Sequence, residues 1–144
     1  MPRYFTLEQA EAMLPQVERQ LRQAVHLKQE HDSVGAQQED FHRRVAMSGG
    51  MQVDRAIVLA IRSKADATVS RLKEILDEIT GLGVQVKDLD KGLIDFPTFY
   101  RGDEVLLCFR LGETGIRYWH GLEEGFGGRK EIDDEFVRDH QNHE

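Results

Sequence analysis

The amino-acid sequence predicts an α+β domain, a long antiparallel helical hairpin followed by a small antiparallel meander of three or four strands. Three observations carry this reading. Apolar residues recur at helical spacing through the first half of the chain, and the period turns strand-like near residue 84. The connections between the later segments are then too short for anything but antiparallel neighbours. A chain of 144 residues is long enough to bury one core without disulfide or metal staples.

The first helix opens on Thr6 and Gln9, spaced as a capping box, with Phe5 just outside as a staple partner. Leu7, Ala10, Leu14, Val17, Leu21 and Ala24 then form one apolar stripe. Pro15 interrupts it by removing a backbone donor, which predicts a kink or break near Leu14. Ser33 to Gly35 reads as a turn, Gln37 to Met47 as a short helix, and Ser48-Gly49-Gly50 as a breaker. A second long helix follows from Met51 to Thr80, with Val53, Ile57, Ile61, Ala65, Thr68, Leu72, Leu76 and Ile79 on one face. At ~1.5 Å per residue it spans about 45 Å, more than a small sheet covers. Gly81 and Gly83 close it.

Val84 to Val86, Leu93 to Tyr100, Glu104 to Leu111 and Ile116 to His120 are the expected strands, divided by turns at Asp88 to Gly92, Arg101 to Asp103 and Gly112 to Gly115. Pro97, without an amide donor, belongs at an edge or a bulge. The organisation expected is one domain over 1–132, with the hairpin in 5–82, the sheet in 84–120 and a glycine-rich loop in 121–132. Residues 133–144 are an acidic tail, forming either one amphipathic turn around Phe136 and Val137 or no structure.

The net charge of −7 is uneven. Glu131, Asp133, Asp134, Glu135, Asp139 and Glu144 face only Arg138 at the C-terminal end, leaving 20 acidic and 18 basic residues elsewhere. Such a chain lacks a basic footprint for nucleic acid, so no nucleic-acid partner is expected. No apolar run approaches the ~18–20 residues of a membrane span. The N-terminus lacks the apolar core of a secretory signal, and the single cysteine, Cys108, has no internal disulfide partner. The expected location is the cytoplasm.

Three stretches carry a resemblance. They are Phe5 to Ala10 with Leu14-Pro15, then Val86 to Pro97, then Leu106 to Glu113 leading into Trp119 to Arg129. Together they resemble the bacterial domain of unknown function 2203 family over most of residues 5–132, most specifically in the sheet half. The resemblance implies a free-standing bacterial protein and brings neither an established activity nor catalytic residues.

The polar residues of the sheet half are the candidates for chemistry: Asp95, Arg110, His120, Glu123, Glu124 and Arg129. Asp95 and Arg110 are charges on apolar strands, and a carboxylate and a guanidinium on neighbouring strands offset each other's desolvation as an ion pair. His120 with Glu123 and Glu124 offers an imidazole and carboxylates, ligands for a divalent metal if Asp95 or another distant group joins them. His120, Glu124 and Asp95 are thus the metal candidates. The plainer alternative is a solvated strand end with His120 bonded to a backbone carbonyl. Gly125 to Lys130 is either an anion cradle with Arg129 as its charge or a tight turn. Cys108, mid-strand among Leu106, Leu107 and Phe109, reads as an inert buried thiol, and His140 and His143 as solvated.

Two functional readings follow. The first is a non-enzymatic, self-associating interaction or scaffold protein, a homodimer formed through the long helices, because the second helix's stripe outruns the sheet. The second is a protein binding a metal or small anion, conceivably an enzyme, with a polar pocket between sheet and helices. The first is preferred, resting on a long periodic pattern where the second rests on scattered side chains, and a divalent metal is accordingly not favoured.

Overall fold

A computed structural model describes residues 3–47 and 55–141. Helix α1 spans Leu7–Met47 and helix α2 spans Arg55–Gly81. Four strands follow, β1 (Gln85–Asp88), β2 (Leu93–Tyr100), β3 (Asp103–Arg110) and β4 (Tyr118–Gly121). Two short strands, β5 (Lys130–Glu131) and β6 (His140–Gln141), flank a final helix α3 (Asp134–Asp139). All strand pairs are antiparallel, in the order β1-β2-β3-β4-β5, with β6 also on β2. The α+β hairpin-and-meander expectation holds, and the sheet exceeds it by the two-residue strands β5 and β6.

The capping box forms as its spacing predicts. The Thr6 hydroxyl accepts from the Gln9 amide at 3.1 Å, and the Gln9 side chain accepts from the Thr6 amide at 3.0 Å. Helix α1 then runs through Pro15 without the expected break. A proline inside a helix costs about 3 kcal/mol through its lost hydrogen bond and ring clash together, whereas Ala10, Leu14, Val17, Leu21 and Ala24 are all buried on the same face. Nor does the chain turn at Ser33 to Gly35. Val34 is buried, which offsets the roughly 1 kcal/mol that Gly35 costs in a helix, and the separate short helix expected from Gln37 to Met47 is the end of α1. The expected breaker at Ser48 to Gly50, the expected helix start at Met51 and the stripe residue Val53 lie outside the described residues.

The apolar stripe of α2 is covered progressively toward its C-terminal end. Ile75 and Ile79 are fully buried, Leu72 and Leu76 partly so, and Thr68 is buried with its hydroxyl bonded to the Lys64 carbonyl. Toward the other end Ile57 is 46% exposed and Leu59 59% exposed. Beyond Leu27, the last residue of α1 packed against the main core, α1 buries only Val34, so the distal hairpin is a two-helix rod extending ~30 Å past that core.

That core lies between the hairpin and one face of the sheet. Strand alternation sends Ile94 and Phe96 of β2 and Val105, Leu107 and Phe109 of β3 toward the helices. Phe5 meets Phe96 edge-on at 5.4 Å. Pro97 sits mid-strand, yet its missing donor falls in the gap between β1 and β6, where its carbonyl accepts the Phe5 amide at 2.8 Å. The β2–β3 hairpin turns on Arg101 and Gly102, both at positive φ (53° and 84°), the geometry that matches strand twist.

Residues 133–141 complete this core. Asp133 caps α3, and Phe136 is buried, stacked on Tyr100 and Trp119. His140, expected in solvent, instead accepts the Leu7 amide on Nε2 at 2.8 Å while its Nδ1 faces the Val137 carbonyl at 2.7 Å. It supplies a second cap to α1.

Candidate functional site

The residues of β2, β3 and β4 that point away from the helices build the site. Register places Asp95 opposite Cys108 and Leu106 opposite His120. The period of two then puts Asp95, Cys108 and His120 on one outward patch of three adjacent strands. All three are buried, at 1%, 2% and 3% exposure. What buries them is the segment after β4, where Leu122, Glu124 and Gly125 lead into a 3-10 turn at Phe126–Gly128. A cavity of about 140 Å³ remains under this loop. Its floor is Asp95, Cys108 and His120, its walls are Leu93, Leu106, Leu122 and Phe126, and Lys87 and Glu124 stand with them. The pocket is therefore on the face of the sheet opposite the helices, not between the two as expected, because the helix face is filled by apolar side chains.

His120 Nε2 lies 3.3 Å from one Asp95 oxygen and 3.2 Å from the other. Its Nδ1 is 2.9 Å from the Gly121 carbonyl. A carbonyl only accepts, so Nδ1 carries the proton. The Nε2 lone pair of the neutral ring then faces a carboxylate, and a proton or a metal cation must lie between them. Burial raises the Asp95 pKa above the ordinary carboxylate value, opposed by the His120 charge, a Cys108 hydrogen bond and the Lys87 charge. Burial first, then the Asp95 charge, pushes the Cys108 thiol up to about 12. Such a thiol is no nucleophile at neutral pH without a cation to displace its proton.

One carboxylate oxygen, the Cys108 sulfur and one His120 nitrogen all lie within 4.8 Å of one another. Tetrahedral zinc, with bonds of roughly 2.0–2.3 Å, needs ligand atoms about 3.3–3.8 Å apart. The Asp95 and His120 atoms, 3.2 Å apart, already approach that spacing. The Nδ1–H to Gly121 bond is the backing that orients a metal-ligating histidine and leaves Nε2 free to bind.

The six candidate residues do not all converge. Asp95, His120 and Glu124 line the cavity. Glu123 is exposed and does not. Arg110 pairs in register with Leu93 rather than Asp95, and its exposed guanidinium lies 5.5 Å over Phe126, so the expected Asp95–Arg110 ion pair does not form. Arg129 is packed between the Tyr118 ring at 4.0 Å and the Phe126 ring at 4.5 Å and pairs with Glu113. Among the metal candidates, Glu124 is occupied by the Lys130 ammonium at 2.6 Å and the Gly121 amide at 2.9 Å, which hold its carboxyl below the usual range. Cys108 takes the place expected for it. The signal that finds Cys108 is shared strand parity, once register aligns residues 95, 108 and 120.

A family model described as an uncharacterized conserved protein, DUF2203, matches residues 3–132. The chain belongs to this family. The DUF2203 match contains Asp95, Cys108, His120 and the whole covering loop, and it ends before α3 and β6. No curated protein and no solved structure matches the chain. No described helix is long and apolar enough to cross a membrane.

Proposed function

We propose that this protein binds a divalent metal of the zinc class through Asp95, Cys108 and His120. One observation carries the reading. A buried imidazole whose Nδ1 is committed to a carbonyl presents Nε2 to a carboxylate and a thiol. Imidazole, thiolate and carboxylate together suit zinc and its neighbours better than calcium or magnesium, which prefer oxygen alone. Metal would replace the protons held by Cys108 and between Asp95 and His120, which removes the cost of burying those groups. Untagged protein purified without chelator is expected to hold close to one equivalent of zinc or a similar ion, lost in Cys108→Ser. Less than roughly a tenth of an equivalent, with no thermal shift on adding zinc, would sink the reading.

Self-association through the hairpin is a second reading, supported by the distal rod. There Ile57 and Leu59 are exposed, and Phe41, Val58 and Ile61 are only half buried. A second copy packed along the rod would cover the side that carries Ile57 and Ile61, as helical hairpins do in four-helix bundles. Sedimentation equilibrium at tens of micromolar is expected to give a dimer that Ile57→Glu converts to monomer. A wild-type monomer removes this reading and leaves the metal site untouched.

A further inference from the structure

We infer that the metal centre keeps one coordination position for an external ligand, and that the ligand is a small aliphatic carboxylate whose single charge is shared between the metal and Lys87. The inference rests on the metal reading above and deepens it.

Count the donors first. Among the described residues, Asp95, Cys108 and His120 are the group whose ligand atoms come together, and tetrahedral zinc takes four ligands. The remaining acid at the cavity is Glu124, and its carboxylate is already engaged by Lys130 and the Gly121 amide. The fourth donor therefore comes from solvent or from a ligand, the arrangement of a reactive or ligand-binding metal centre rather than a closed structural one.

Charge selects the ligand's sign. A divalent ion with one carboxylate, one thiolate and one neutral imidazole is a neutral centre. Glu124 and Lys130 cancel each other. Lys87 is left over. It is an exposed residue at the bulge of β1, two positions along from the Gln85 that pairs with Asp95; it lines the cavity with Asp95, and no ion pair joins it to a described residue. Its ammonium acts on the Asp95 carboxylate through space. The Arg110 guanidinium over Phe126 adds a second positive charge to this rim. One anionic group, bridging metal and ammonium, offsets the Lys87 charge and leaves Arg110 to favour the approach of anions.

Shape selects the class. Leu93, Leu106, Leu122 and Phe126 wall the space above the polar floor. About 140 Å³ is ample for a ligand of several heavy atoms, given that one water needs roughly 15 Å³. Hydrated inorganic anions gain nothing from such walls, whereas a short alkyl chain behind a carboxylate does.

The test uses cobalt(II) as the metal, with propionate as the probe. Cobalt bound by Cys108 gives a thiolate charge-transfer band, and its visible bands report a change of ligand. Propionate is expected to alter the visible bands saturably while the charge-transfer band persists, and propionamide to leave them unchanged. Lys87→Met is expected to keep the charge-transfer band and weaken propionate binding about tenfold or more. No charge-transfer band in wild type overturns the metal reading itself. A band that propionate does not disturb, an equal response to propionamide, or full propionate affinity in Lys87→Met overturns the ligand inference and leaves the metal reading standing.

Discussion

Strands β2 and β3 present alternate residues to two very different surroundings. Toward the helices, Ile94, Phe96, Leu107 and Phe109 meet the packed stripes of α1 and α2. Toward the other side, Asp95, Cys108 and Leu106 meet a short glycine-containing loop whose side chains reach only partly across. Two helices fill volume, and a loop with Gly125, Gly127 and Gly128 leaves it. The difference teaches that burial alone does not make a core. The inner face is buried by complementary shape, the outer by a cover over polar groups that keep their chemistry.

The comparison is easiest to break on the inner face. Phe96→Ala is expected to cost about 3–5 kcal/mol in urea denaturation while leaving metal stoichiometry in the folded fraction unchanged. A loss under ~1 kcal/mol would show that this face does not hold the domain together. The outer face should respond to pH instead. The folded Cys108 thiol ionises near 12, against 9.0 ordinarily. Above pH 9 the unfolded chain therefore loses a proton that the folded one keeps, and stability falls as pH rises. Metal-free wild type is expected to lose ~4 kcal/mol by pH 12 relative to Cys108→Ser, read from denaturation midpoints across that range. Parallel curves for the two proteins would mean that the thiol is not held in a dry site.

Cys108→Ser should also weaken zinc binding by about 100-fold or more, yet change metal-free stability at neutral pH by no more than ~1 kcal/mol, measured by competition with a chromophoric chelator. Equal affinity would take the thiol out of the site. The smallest effect is expected far from both faces of this patch. His140→Ala removes the acceptor for the Leu7 amide, and a lost helix cap costs about 1 kcal/mol, visible as a small midpoint shift with unchanged metal content.

Much of the fold was legible because its signals are local. The Thr6 and Gln9 box, the stripe from Ala10 to Ala24 and the four main strands all stand where spacing put them. The misjudged positions are those where packing outweighs a local signal, at Pro15 and Gly35 inside α1. The site was half legible. Asp95 and His120 were visible as a charge and an imidazole on strands, but their partner depends on register, a long-range property that no single segment encodes. Adjacency in sequence suggested Glu123, and proximity of opposite charges suggested Arg110. Adjacency does not show that Glu123 turns out to solvent, and a shared face does not bring Arg110 to Asp95, since it pairs with Leu93 two positions along the strand. The tail was half legible: a turn around Phe136 was one of its two expected forms and is the one that occurs, but its docking on Tyr100 and Trp119 depends on the assembled sheet.

The bond between Leu7 and His140 joins positions 133 apart in the chain. During synthesis the first turn of α1 emerges with only Thr6 and Gln9 to finish it, and waits until His140, 133 positions later, has left the ribosome. Loop closure over such a distance comes late in assembly. Docking of the last helix is thus expected to be the step that commits the nascent chain, with the first helix fraying at its start until that moment.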